Sequence, residues 1–253
     1  MNLREETIDK LKKHALWATK GLGQNFLVSE KALKTIVDAA EITPGEQILE
    51  IGPGLGTLTE ALTQEGAKVK AIEMDTKFTQ ALHGFDVEFM DGLKYDPSKL
   101  GPYKLIANIP YYITSPLINH YLKDQENKPT HIVLLIQKEV AQKICSEKSS
   151  VLSLNIKVYG DPEIMGTVPA SAFYPSPKVD SAILRIKVTD PRISCDPNAF
   201  YRIVKMAFSS PRKMLRNNLK TLLKDKEYPV DLNRRAETLS IEEFEALTLA
   251  CNE

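Results

Sequence analysis

Residues 48–62 read Ile48-Leu49-Glu50-Ile51-Gly52-Pro53-Gly54-Leu55-Gly56-Thr57-Leu58-Thr59-Glu60-Ala61-Leu62. A strand-like run over Gln47–Ile51 meets a loop with three glycines, and Leu58, Ala61 and Leu62 then recur at helical spacing over Gly56–Gln64. Glycines between a buried strand and a helix let the backbone adopt positive φ and come close to a bound ligand. Upstream, Leu33–Ala40 has the pattern of a helix, and Pro44-Gly45 that of a turn into the strand. Downstream, strand-like runs recur at Val69–Ile72, Val87–Met90, Lys104–Ala107 and His131–Gln137. The first four runs each precede a loop or helical stretch, the rhythm of a parallel sheet covered by helices. Helical stretches follow at Lys138–Glu147 and Val151–Val158, and Glu163–Val168 and Ser181–Val188 alternate like a last pair of strands around a proline-rich loop. Beyond Thr189-Asp190-Pro191 the periodicity is wholly helical. The expected organisation is an α/β domain over residues 1–189 and a small all-helical domain over residues 190–253.

Composition agrees with a globular chain: of 253 residues, 43% are hydrophobic and 26% charged, which excludes collagen-like, coiled-coil and disordered classes. Cys145, Cys195 and Cys251 are odd in number and widely spaced, so neither a disulfide framework nor a zinc site is expected. No apolar run approaches the roughly 18 residues of a membrane span, and the N-terminus lacks the apolar core of a signal peptide. A cytoplasmic protein without a membrane partner is expected. Lys+Arg and Asp+Glu both total 33, yet ten basic residues face three acidic ones between Arg202 and Arg235. Such a run is either a solvated face or a patch that contacts phosphates.

At the end of the second strand-like run stands Glu73, placed to accept both ribose hydroxyls of a bound nucleoside. After the third run, Asp91 can take a hydrogen bond from an adenine amine, though alone it also suits a turn or a helix cap. Thr57 occupies the third position of a dinucleotide fingerprint, which disfavours a nicotinamide-dependent oxidoreductase. Glu50-x-Gly52-x-Gly54-x-Gly56 instead resembles the S-adenosylmethionine motif of methyltransferases, and seven strands ending in a hairpin resemble the class I (Rossmann-like) methyltransferase sheet. The fourth run ends in Asn108-Ile109-Pro110-Tyr111, which resembles the (D/N)-P-P-(Y/F/W) signature of enzymes that methylate exocyclic amines. An adenine N6 is a poor nucleophile with two N–H donors. The Asn108 side-chain oxygen and the Ile109 carbonyl can accept both, which favours the pyramidal attacking geometry. Pro110 stiffens the loop and Tyr111 offers a face for the base. No general base is needed, and the four histidines have no recognisable spacing. No metal is expected.

Together with three further segments these residues resemble the ribosomal RNA adenine dimethyltransferase family, whose bacterial small-subunit members are called KsgA. Gly23-Gln24-Asn25-Phe26-Leu27 is similar to the family's G-Q-N-F-L loop, which implies that Asn25 and Leu27 lie at the methionine and sulfonium end of the cofactor. Val168 to Ser181 is similar to V-P-P-S-A-F-x-P-x-P-K-V-D-S, which implies that Phe173 sandwiches the target base against Tyr111 and that Lys178 meets a phosphate. Arg212-Lys213, Leu215-Arg216-Asn217-Asn218-Leu219 and Arg235-Ala236-Glu237-Thr238-Leu239-Ser240 resemble the family's helical region. There Arg212, Lys213 and Arg216 would be presented together by one helix to RNA. Ser210-Pro211 stands where the family often has Gln-Arg, and Ser149-Ser150 lacks the family's aromatic residue. The resemblance implies dimethylation of N6 on two adjacent adenosines near the 3′ end of small-subunit rRNA, with S-adenosylmethionine, by a monomer acting on a pre-ribosomal small subunit. The alternatives are a large-subunit rRNA methyltransferase of macrolide resistance and a non-catalytic ribosome assembly factor.

Overall fold

The computed structural model describes residues 2–19, 23–224 and 226–252. In chain order it runs α1 (Leu3–Lys13), β1 (Phe26–Leu27), α2 (Glu30–Ala40), β2 (Gln47–Ile51), α3 (Thr57–Gln64), β3 (Lys68–Glu73), β4 (Asp86–Phe89), β5 (Lys104–Asn108), α4 (Thr114–Asn119), β6 (His131–Gln137), α5 (Lys138–Cys145), α6 (Val151–Tyr159), β7 (Gly160–Val168), β8 (Phe173–Tyr174), β9 (Ser181–Val188), α7 (Pro197–Ala207), α8 (Leu215–Asn218) and α9 (Ile241–Asn252). Seven strands form one sheet in the order β4-β3-β2-β5-β6-β9-β7. β2 pairs in parallel with β3 and β5, β3 with β4, and β5 with β6, whereas β9 runs antiparallel to β6 with Leu184 opposite Leu134. β2, β5 and β6 are buried almost end to end, as apolar strands covered on both faces must be. Ile36, Ala39 and Leu62 of α2 and α3 pack with Ile48, Ile106 and Val133 in one core.

From β2 the chain builds β3 and β4 on one side, then returns to lay β5 along the other. Open α/β sheets bind ligands at the carboxyl ends of strands where the order reverses in this way. Gly52 follows β2 there, and Asn108 ends β5. The helical rhythm lapses after β3 and β4, where the connections hold only short 3₁₀ turns, Thr76–Phe78 and Pro97–Lys99, each opened by an aspartate cap. A second sheet joins β1 to β8 antiparallel, with Leu27 opposite Phe173.

The chain divides into two compact units, Met1–Ala141 with Glu163–Val188, and Gln142–Pro162 with Thr189–Glu253. A single cut near residue 190 therefore misses that residues 142–162 group with the C-terminal part. The reason is packing: α6 lies on α7 and α9, and Ser149 Oγ donates to Leu239 O at 2.7 Å. Within this second unit Phe244 meets Phe200 edge-on and Phe208 stacked. The wholly helical pattern expected there is also corrected. Between α7 and α9 the described residues form turns, the four-residue α8 and a 3₁₀ turn at Ala236–Thr238. Ser209-Ser210-Pro211 and Pro229 interrupt the periodicity, since proline lacks the N–H that helix propagation requires. No helix among the described residues is long and apolar enough to cross a membrane.

Candidate active site

A cavity of about 310 Å³ opens at the sheet's reversal. Asn25, Leu27, Gly52, Gly54, Glu73 and Asp91 all line it. So do Asn108, Ile109, Pro110, Tyr111 and Phe173. Gly52, Gly54 and Gly56 have φ of +74°, +57° and +77°, the left-handed region that favours glycine. At Gly56 a Cβ would also lie 3.0 Å from the Phe85 ring, so this position is closed twice over. The loop comes close to the end of β5, since a Cβ at Gly52 would stand 3.9 Å from Asn108 O.

Glu50, Glu73 and Asp91 bring three carboxyl groups to the cavity lining. Glu73 is buried, and its oxygens accept the Gly54 N–H at 3.0 Å and the Asp75 N–H at 2.8 Å. Burial raises its pKa against the pull of those two donors. Asp91 Oδ1 accepts the Leu93 N–H at 3.0 Å. A carboxylate offers about four lone-pair sites, so both groups keep acceptor capacity toward the cavity. Glu50 is 1% exposed, and its Oε2 has no hydrogen-bond partner. Burial above all, opposed by the Thr59 hydroxyl and reinforced by Glu73, pushes its carboxyl up to about 8.

On the opposite wall, Pro110 leads into the 3₁₀ turn Tyr111–Ile113. The Tyr111 hydroxyl bonds Ser181 Oγ at 2.7 Å, and Ser181 is the fully buried first residue of β9. Burial raises the Tyr111 phenol. Phe173, also buried, comes to the cavity through the β1/β8 pairing, which Val28 N–H extends by donating to Ala172 O at 2.8 Å.

Further residues at or beside the cavity secure its walls. Lys77 pairs with Asp75 at 3.0 Å and donates to Thr19 Oγ1, Gln24 Oε1 and Trp17 O, while Gln24 Nε2 donates to Asp75 at 3.0 Å. Against the cost of desolvation, Lys77 and Gln24 hold Asp75 below the usual carboxylate range. Tyr121 donates to Gly92 O at 2.8 Å and thereby steadies the turn beside Asp91. A Cβ at Gly92 would meet Ile51 Cγ2 at 2.8 Å, so only glycine lets that turn lie against β2. The signals were a lone Gly after Asp91 and a Lys two residues after Asp75, too common to single out.

The basic residues lie elsewhere. Lys178 is exposed on the loop between β8 and β9 and does not line the cavity. Arg212, Lys213 and Arg216 are exposed in the second unit, but one helix does not carry them: the first two occupy the turn after Pro211, and only Arg216 is on α8. Among the described residues no group of three or more His, Cys, Asp or Glu could hold a metal ion.

The family model for ribosomal RNA adenine dimethylase matches residues 17–250. The chain belongs to that family. It is 37% identical over 276 aligned positions to the ribosomal RNA small subunit methyltransferase A of Dehalococcoides mccartyi, covering 100% of this chain and 94% of that protein. To the protein of the same name from Desulfitobacterium hafniense it is 39% identical, covering 92% of each. Among solved structures it resembles a dimethyladenosine transferase from Plasmodium falciparum, with a TM-score of 0.74 and 26% identity over 90% of this chain and 97% of that one. It also resembles the 23S rRNA methyltransferase ErmE, with a TM-score of 0.69 and 25% identity over 90% of this chain and 100% of that one. The fold is the class I methyltransferase sheet, with β9 antiparallel beside β6.

Proposed function

We propose that this ribosomal RNA adenine dimethylase transfers methyl groups from S-adenosylmethionine to N6 of two adjacent adenosines near the 3′ end of small-subunit rRNA, twice on each. One observation carries the reading: a single cavity gathers the glycine loop, Glu73, Asp91 and the Asn108-Ile109-Pro110-Tyr111 turn at the reversal of the sheet. The polar groups present suit the cofactor. Glu73 and Asp91 are acceptors for ribose hydroxyls and an adenine amine, Asn25 and Leu27 offer an amide and an apolar wall to the methionine tail, and the buried Glu50, one oxygen of which has no hydrogen-bond partner, lines the same cavity. S-adenosylmethionine, when bound, supplies an electrophilic methyl group whose transfer leaves a neutral thioether, the displaced amine proton passing to water.

The chain's own part is to place the amine. Asn108 and the Ile109 carbonyl accept the two N–H groups, and Tyr111, tied by Ser181, and Phe173 hold the base between aromatic faces. After the first transfer one N–H remains for these acceptors. Lys178, Arg212, Lys213 and Arg216 would meet RNA phosphates. The small-subunit reading is favoured because relatives spanning nearly the whole chain at 37–39% identity carry that name. The protein would act as a monomer on a pre-ribosomal small subunit in the cytoplasm.

The test is nucleoside mass spectrometry of unmethylated small subunits and naked large-subunit rRNA after incubation with S-adenosylmethionine. Dimethyladenosine at paired small-subunit adenines, reduced at least about 100-fold by Asn108→Ala, is the expected result. Modification of large-subunit RNA alone would overturn it, as would tight subunit binding without methyl transfer.

A further inference from the structure

We infer that Tyr112 forms a stacking subsite for the nucleotide next to the target adenosine, an assignment that rests on the RNA reading above. Single exposed apolar side chains are ordinary on a protein surface, whereas a cluster at one mouth marks a binding site. Among the described residues, the unit that holds the cavity exposes five large apolar side chains, Trp17, Met74, Tyr112, Tyr174 and Val179. Two of them line the cavity, and two more connect through their backbone to residues around it. Tyr112, 61% exposed, and Met74, 53% exposed, line it directly. Trp17 is held through its carbonyl by Lys77, the partner of the lining Asp75, and Tyr174 stands opposite the lining Phe26 in the β1/β8 register.

Tyr112 is the one that adjoins the base seat in the chain. It shares a 3₁₀ turn with Tyr111, so the two Cα atoms are about 3.8 Å apart. Tyr111 is drawn inward by its bond to Ser181, while the Tyr112 ring stands mostly in water. Its Cε1 edge is backed by the Gly23 backbone, where a Cβ would lie 3.8 Å from it and 3.2 Å from Pro110 Cβ. The ring thus lies beside the Gly23 turn and is mostly open to solvent.

RNA chemistry gives such a ring a task. An adenosine that leaves its stack to enter the cavity deprives its neighbour of a stacking partner. An aromatic face one residue outside the seat replaces that partner, and it favours a purine because a larger base covers more of it.

The experiment compares wild type with Tyr112→Ala, Tyr112→Phe and Tyr112→Trp on small subunits reconstituted with adenosine or uridine beside the target position. Tyr112→Ala is expected to lower kcat/KM by about 5- to 150-fold with adenosine there and to lose the preference for adenosine over uridine. Affinity for S-adenosylmethionine stays at the wild-type value, and the Phe and Trp variants keep both rate and preference. An active wild type with an equally active and equally selective Tyr112→Ala overturns the subsite alone. So does a Tyr112→Ala whose defect is weakened cofactor binding. A wild type inactive on every particle overturns the proposed function and the subsite with it.

Discussion

Glu50 and Glu73 stand at or near the ends of neighbouring strands, both buried and both with raised pKa, yet their surroundings differ. Glu73 has two backbone N–H donors, whereas Glu50 Oε2 has none. A carboxyl whose pKa in the folded chain exceeds its ordinary value of 4.5 favours folding while protonated. Glu50's contribution is complete below about 4.5 and is lost as pH rises through about 8. Paired carboxylates such as Asp161 and Glu243 are shifted downward and act only at acid pH. Between pH 7 and 8.5 the loss that Glu50 contributes in the free protein is on the order of 1 kcal/mol, a fall in Tm of about 2–4 °C. The Tm of Glu50→Gln should fall by that much less across the same range. An unchanged slope in the variant would assign the pH dependence to another group.

At the level of elements, β2 with its glycine loop and β5 with its Asn108 turn were legible, because buried strands read as apolar runs and glycines mark positive φ. β1 and β8 were not. Each is two residues long and carries no periodicity, and their pairing joins positions nearly 150 residues apart. Ser181 was legible as the start of a strand-like run and as part of a resemblance but not for its role, which the structure supplies: the first residue of β9 anchors the turn after β5 through the Tyr111 hydroxyl. Ser181→Ala leaves that hydroxyl without its buried partner, which costs about 1–3 kcal/mol and frees the ring to tilt. Stopped-flow or quench measurements should find methyl transfer about tenfold slower with cofactor affinity unchanged. Adding Tyr111→Phe should slow it no further, because the two substitutions break one bond. Additive losses would mean that Ser181 acts on something other than Tyr111.

For the whole molecule, net charge is zero although the stretch from Arg202 to Arg235 is strongly basic, so the cationic surface is local. The sequence pattern revealed that imbalance but mistook its scaffold, since prolines and serines replace the expected helix by turns and the short α8. Turns display side chains without helical spacing, and Arg212, Lys213 and Arg216 are all exposed there. The motif Arg235 to Ser240 has in part a structural role: Ser149 bonds the Glu237 and Leu239 carbonyls, and Arg234 pairs with Glu243 across the same segment. Phosphate contacts made by the three exposed cations would release counterions, so affinity must fall with salt. The Arg212→Ala, Lys213→Ala, Arg216→Ala triple variant should therefore bind small subunits more weakly at low salt, and its log–log salt slope should be shallower by about 2 to 3. S-adenosylmethionine affinity should not change, since none of the three lines the cavity. A triple variant with the wild-type slope would mean that the basic stretch is a solvated face and that the RNA is gripped elsewhere.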